Sequence, residues 1–115
     1  MKLYIVTGEP SGDLHAANLV HEIKKCDPLV NIRAWGGERL ISEGVEIAKH
    51  IKDISFMGLW DVLMNLGSIR KNIKYCKIDI INYKPDAIIL VDYPGFNLKI
   101  AEFAKKNGIK VFYYI

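Results

Sequence analysis

The sequence predicts an α/β fold, a doubly wound parallel sheet with helices on both faces, and three observations predict it. Short continuous apolar runs such as Leu3–Val6 and Ala87–Val91 read as strands buried on both sides. Between such runs lie segments whose apolar residues recur at spacings of three and four, the pattern of amphipathic helices. Glycine and proline mark short connections, which suit right-handed β-α-β crossovers.

Each element follows in order. Lys2-Leu3-Tyr4-Ile5-Val6-Thr7 ends in Gly8 and forms the first strand. Ser11 is placed to cap a helix whose first turn Asp13 favours; Ala16, Leu19, Val20 and Ile23 make its apolar face, and it ends near Cys26, before Asp27-Pro28. Asn31 to Trp35 is the second strand, closed by Gly36-Gly37, and Glu38 to Glu43 is a short helix stopped by Gly44. Val45 to Met57, with apolar residues at Val45, Ile47, Ile51, Ile54 and Phe56, reads as a short strand followed by loop. The clearest element is a long helix carrying Leu59, Val62, Leu66, Ile69, Ile73, Cys76 and Ile80, with no proline before Pro85. Ala87–Val91 is a central strand ending at Asp92. Phe96 to Lys106 is a helix terminated by Asn107-Gly108, and Lys110 to Ile115 is a further strand. A sheet of this type normally closes with a helix after each strand, so the chain is expected to be part of a larger fold.

Composition bounds the function classes. The 115 residues suit one domain; 50% are hydrophobic and 25% charged, as in ordinary globular proteins. A formal charge of +3, with the lysines spread along the chain, gives no ground for a nucleic-acid partner. Cys26 and Cys76 stand alone and read as reduced thiols, and His21 and His50 have no partner at metal-ligand spacing, so neither a metal nor another cofactor is expected. The apolar opening is shorter than a signal-peptide core, and no apolar stretch is long enough to span a membrane, leaving peripheral membrane contact as the only kind expected.

Three segments carry chemistry. Gly8-Glu9-Pro10-Ser11-Gly12-Asp13 joins the first strand to the first helix, where backbone N–H groups at a helix terminus can hold an anion. It lacks both the Gly-Lys-Ser/Thr ending of a nucleoside-triphosphate loop and the glycine spacing of a dinucleotide fingerprint. The same residues could equally serve a tight turn and its cap. His15 lies one turn further on, either touching a substrate or merely packed or solvated. Asp92, where the strand leaves the sheet in Val91-Asp92-Tyr93-Pro94-Gly95-Phe96-Asn97, is placed to accept a proton from a substrate hydroxyl, or else to cap the following helix. Finally, Trp60, Leu63 and Met64 exceed what one core stripe of the long helix requires. They pack under the Val45–Phe56 segment or face lipid, and Arg70, Lys71, Lys74 and Lys77 beyond them suit anionic headgroups or a solvated face.

In their order, Gly8–Asp13, Met57-Gly58 opening a long helix, and Asp92-Tyr93-Pro94-Gly95-Phe96-Asn97 resemble the successive motifs of the lipid-A-disaccharide synthase family, with Gly36-Gly37 and Asn107-Gly108-Ile109-Lys110 also in place. The resemblance implies a GT-B glycosyltransferase of two Rossmann-like domains, with residues 1–115 as an incomplete amino-terminal, acceptor-side domain and the UDP-sugar domain absent. It implies transfer of 2,3-diacylglucosamine from its UDP-linked donor to the acceptor 2,3-diacylglucosamine 1-phosphate, with inversion and release of UDP, on the cytoplasmic face of the inner membrane. The fragment by itself is expected to be inactive. By the same resemblance Asp92 is the catalytic base. Gly8, Glu9, Ser11, Gly12, Asp13, His15 and Asn97 are expected to bind substrate, and Trp60, Leu63, Met64, Arg70 and Lys74 to meet acyl chains or membrane. One departure stands out: the second acidic position of the Asp-x-Pro-Asp-Phe-Asn motif is Gly95, leaving Asp92 as the motif's only carboxylate. The rival readings are a non-catalytic phosphate- or nucleotide-binding domain and, against the glycine spacing, a dinucleotide domain.

Overall fold

The computed structural model describes residues 1–53 and 66–114. In chain order the elements are β1 (Lys2–Val6), α1 (Pro10–Cys26), β2 (Asn31–Gly36), α2 (Glu38–Ser42) and β3 (Glu46–His50). A 3-10 turn (Ile51–Asp53) follows, then α3 (Leu66–Tyr83), β4 (Ala87–Val91), α4 (Pro94–Lys106) and β5 (Lys110–Tyr114). All strand pairs are parallel, in the order β3-β2-β1-β4-β5, with Ile5 opposite Ala34 on one side and Ile89 on the other. The doubly wound parallel sheet expected from the sequence is therefore present.

Alternation along each strand divides the core between two faces. On one, Leu3, Ile5, Ile32, Ala34, Ile89 and Val91 meet Ala16, Ala17 and Val20 of α1 and Leu40 of α2. On the other, Tyr4, Val6, Trp35, Ile88 and Leu90 meet Cys76 and Ile80 of α3 and Phe96, Ile100 and Ala104 of α4. Burying each large apolar side chain contributes on the order of 1.5–3 kcal/mol, so these two layers dominate the stability.

The second face also holds a polar chain. Trp35 Nε1 donates to the Tyr4 hydroxyl at 2.9 Å, which donates to Asp79 of α3 at 2.7 Å; Arg33 grips the same carboxylate at 2.7 and 3.0 Å. This joins β1, β2 and α3 with every charge paired, the condition under which burial of such groups is tolerated. Burial above all pushes the Tyr4 phenol and the Cys76 thiol well up, while the hydrogen bond to Asp79 is the main cause raising Arg33.

Two expected helix starts are corrected. Ser11 does not cap α1: the helix starts one residue earlier, at Pro10, whose fixed φ and missing N–H suit the first helical position, and Glu9 occupies the cap without a side-chain bond. For the same reason α4 starts at Pro94 rather than Phe96, with Tyr93 at the cap position, so Asp92 does not cap it. The Val45–Met57 stretch resolves into β3 and the 3-10 turn, residues 54–57 lying outside the described part. Leu59 and Val62, which the sequence reading assigns to the long helix, lie outside it too.

Candidate functional site

Strand order places the site. β1 and β4 are neighbours, yet the chain leaves β1 towards α1 on one face and leaves β4 towards α4 on the other. A crevice opens at the carboxyl ends of strands diverging in this way, the usual ligand position in open α/β sheets. The two segments singled out in the sequence, some eighty residues apart, meet there.

The first turn is built around its glycines. Gly8 is buried, and a Cβ there would lie 2.4 Å from the Tyr93 ring of the second turn, so only glycine lets the two turns touch. Gly12 packs over Thr7 and Val91, where a Cβ would come to 3.3 Å from the threonine Cβ. Glu9, Pro10 and Ser11 are exposed at the rim, with the N-terminus of α1 opening beside them.

Asp13 faces inward rather than into the crevice. It is 3% exposed, and its carboxylate accepts hydrogen bonds from the backbone N–H groups of Gly37 at 2.7 Å, Arg39 at 3.0 Å and Leu40 at 3.2 Å. These are the orphan donors opening α2, so Asp13 caps that helix from a distance, at the favourable end of its dipole. Gly36 and Gly37 leave room for it, since a Cβ at Gly37 would sit 3.0 Å from Oδ2. Asp13, expected from the sequence to bind substrate, thus accepts three hydrogen bonds from the chain's own backbone.

The second turn is strained and open. Asp92 and Tyr93 both take left-handed backbone, with φ of 49° and 54°, which costs a non-glycine residue about 1–2 kcal/mol. Tyr93 precedes Pro94, which disfavours the right-handed helical region for it. Its ring seats on Gly8 and stacks on Phe96, centroids 5.1 Å apart and planes 9° from parallel. Burial raises the Tyr93 phenol pKa. The Asp92 backbone is held at both ends: its N–H donates to Tyr114 O at 3.0 Å, and its carbonyl accepts from Asn97 Nδ2 and the Tyr113 hydroxyl, each at 2.8 Å. Its carboxylate is exposed and has no hydrogen bond or ion pair among the described residues. Gly95 is equally open, since a Cβ there would meet nothing within 4 Å.

Asn97 is fully buried, not in the crevice. Besides Asp92, its amide donates to the carbonyls of Val6 at 3.3 Å and Val91 at 3.4 Å, tying the ends of β1 and β4 together. Its Oδ1 is buried without a partner among the described residues. Asn97, expected from the sequence to bind substrate, is thus enclosed with its amide on three backbone carbonyls.

His15 is exposed on α1, its ring centroid 6.3 Å from that of Tyr114. Arg70 and Lys74 lie on α3, away from the two turns in sequence, and Trp60, Leu63 and Met64 lie outside the described residues. No group of three His, Cys, Asp or Glu side chains that could hold a metal occurs among the described residues, and no described helix is long and apolar enough to cross a membrane. Sequence reasoning missed Tyr93 and Tyr113. Only the Tyr93-Pro94 pair carried a local signal; the reach of Tyr113 depends on β5 lying beside β4.

Comparison with known proteins adds kinship. The family described as lipid-A-disaccharide synthetase matches residues 3–115. The lipid-A-disaccharide synthase of Geobacter sulfurreducens is 39% identical over 114 residues, 99% of this chain and 30% of the relative; that of Syntrophus aciditrophicus is 44% identical over 111 residues, 96% and 29%. The chain thus spans about 30% of the length of the curated relatives it matches. Among solved structures, the UDP-GlcNAc 2-epimerase of Neisseria meningitidis bound to UDP-GlcNAc superposes with a TM-score of 0.66 at 14% identity, over 98% of this chain and 32% of that one, a likeness of fold.

Proposed function

The chain belongs to the lipid-A-disaccharide synthetase family, and on that premise we propose that it forms the acceptor-side domain of an inverting glycosyltransferase of lipid A biosynthesis, with Asp92 as general base. One observation carries the reading: at the switch point of the sheet, one carboxylate stands in the open without a partner among the described residues, while the backbone beneath it is held on both sides.

In this reading the acceptor is 2,3-diacylglucosamine 1-phosphate, and its 6-hydroxyl lies against Asp92. As the hydroxyl oxygen attacks the anomeric carbon of the UDP-linked sugar, its proton passes to the carboxylate and UDP departs from the opposite side. A carboxylate is too weak a base to form a free alkoxide, so proton transfer accompanies bond formation, and the single displacement inverts the centre. Glu9, Ser11 and His15 line the rim where the acceptor phosphate and sugar would rest, near the positive end of α1, with Gly12 packed beneath them. A second, GT-B-type domain, in the length of the relatives that this chain does not span, would hold the UDP group. Without it the chain binds acceptor but does not turn over.

Both substrates carry acyl chains, so the working place is the cytoplasmic surface of the inner membrane, approached peripherally. Arg70 and Lys74 suit its anionic headgroups, and Trp60, Leu63 and Met64 its apolar layer. The test is Asp92→Asn in the transferase with its donor-binding part present: disaccharide formation should fall by at least about a hundredfold, within the usual worth of a general base, with the fold intact. Full activity of that variant would sink the assignment.

A further inference from the structure

We infer that Tyr113 is a positioning residue for Asp92: its hydroxyl, donating to the Asp92 carbonyl oxygen at 2.8 Å, holds the left-handed turn that carries the exposed carboxylate. The inference rests on the reading of Asp92 as base.

Two consecutive non-glycine residues in the left-handed region persist only where their surroundings over-determine them. Here the surroundings divide into two parts. Asn97 grips the Asp92 carbonyl from α4, and it also grips Val6 and Val91, so it belongs to the fold of the sheet as much as to the turn. Tyr113 reaches the same oxygen from β5, and the Asp92 carbonyl is the hydrogen-bond partner of its hydroxyl. The rest of the tyrosine serves the sheet: its ring packs against the face covered by α3 and α4, and its backbone pairs in register with Leu90. Loss of the hydroxyl therefore leaves packing and pairing in place but leaves one donor on a carbonyl that had two. The peptide plane between Asp92 and Tyr93 is then freer to rotate, and the carboxylate moves with it. A base displaced by about an ångström from the hydroxyl it must meet loses rate far more than affinity. The phenol is suited to a permanent donor role, because burial first and the Asp92 charge second raise its pKa.

Tyr113→Phe tests this in two measurements. In the 115-residue chain, NMR couplings and carbon shifts of Asp92 and Tyr93 should move away from left-handed values, while amide signals of β4 and α4 stay in place and certify the fold. In the transferase, kcat should fall about 10–100-fold with KM within about twofold of the parent, Asp92→Asn being assayed alongside. Unchanged couplings, or unchanged kcat where Asp92→Asn is inactive, would overturn the positioning role. Full activity of Asp92→Asn would instead remove the base, and with it the catalytic half of the inference, leaving the NMR result to decide whether Tyr113 holds the turn.

Discussion

Asp13 and Asp92 are the same residue type, each following a buried strand by a few positions at the same edge of one sheet, and they have opposite surroundings. Asp13 is enclosed and accepts three backbone N–H groups; Asp92 is exposed and accepts none from the described residues. One acts as the permanent anion of a helix terminus. The other keeps its lone pairs for something outside the chain. A carboxylate's chemistry is set by which donors reach it, and the backbone conformation of its neighbours decides that.

The contrast can be broken experimentally, starting where the largest effect is expected. Asp13→Ala strips the opening of α2 of its acceptor and leaves buried N–H groups unpaired, so unfolding free energy should drop by about 3 kcal/mol or more in urea titrations. A loss below about 1 kcal/mol would mean that water satisfies those groups and that the corner is not closed. Gly8→Ala forces a methyl into the Tyr93 ring and should cost about 1–3 kcal/mol as the two turns are pushed apart. Retained stability, with Tyr93 still stacked on Phe96, would contradict the close approach.

Alkaline pH probes the sheet beneath both corners. Tyr4 and Cys76 have raised pKa values in the folded protein, so the folded state holds their protons more tightly than the unfolded chain. Their contribution is whole below the ordinary thiol value of about 8.5 and is lost as pH rises through the thiol and phenol ranges, by up to about 1.4 kcal/mol per pH unit for each group. Urea midpoints measured from about pH 8 upward should fall accordingly, and Cys76→Ala should make the decline shallower. At the small end, Asp92→Asn should alter stability by no more than about 0.5 kcal/mol, since asparagine tolerates left-handed backbone and no partner is lost. A large loss there would reveal a structural duty for Asp92 and erase its difference from Asp13.

Much of the fold was legible because it follows from local pattern. The apolar run Ala87–Val91 could only be a strand buried on both faces, and Ile73, Cys76 and Ile80 could only be one side of a helix. Helix starts were read less well at Pro10 and Pro94, where the missing N–H of proline outweighed the capping tendency of Ser11. In the site, both turns and Asp92 were visible as motifs. Asp13 and Asn97 were visible too, but their structural roles were not, because their partners lie elsewhere in the chain, Gly37 for one and Val6 for the other.

By itself, then, the sequence determined the alternation of strands and helices, the family resemblance and the identity of an acidic residue at the end of a central strand, since each of these rests on neighbours a few positions apart. Tertiary structure alone decided which carboxylate is sealed and which is open, and gave the Tyr113 hydroxyl its hold on the Asp92 turn. Both outcomes depend on groups brought within about 3 Å by the pairing of strands and the seating of helices, and at that range a hydrogen bond is either made or not.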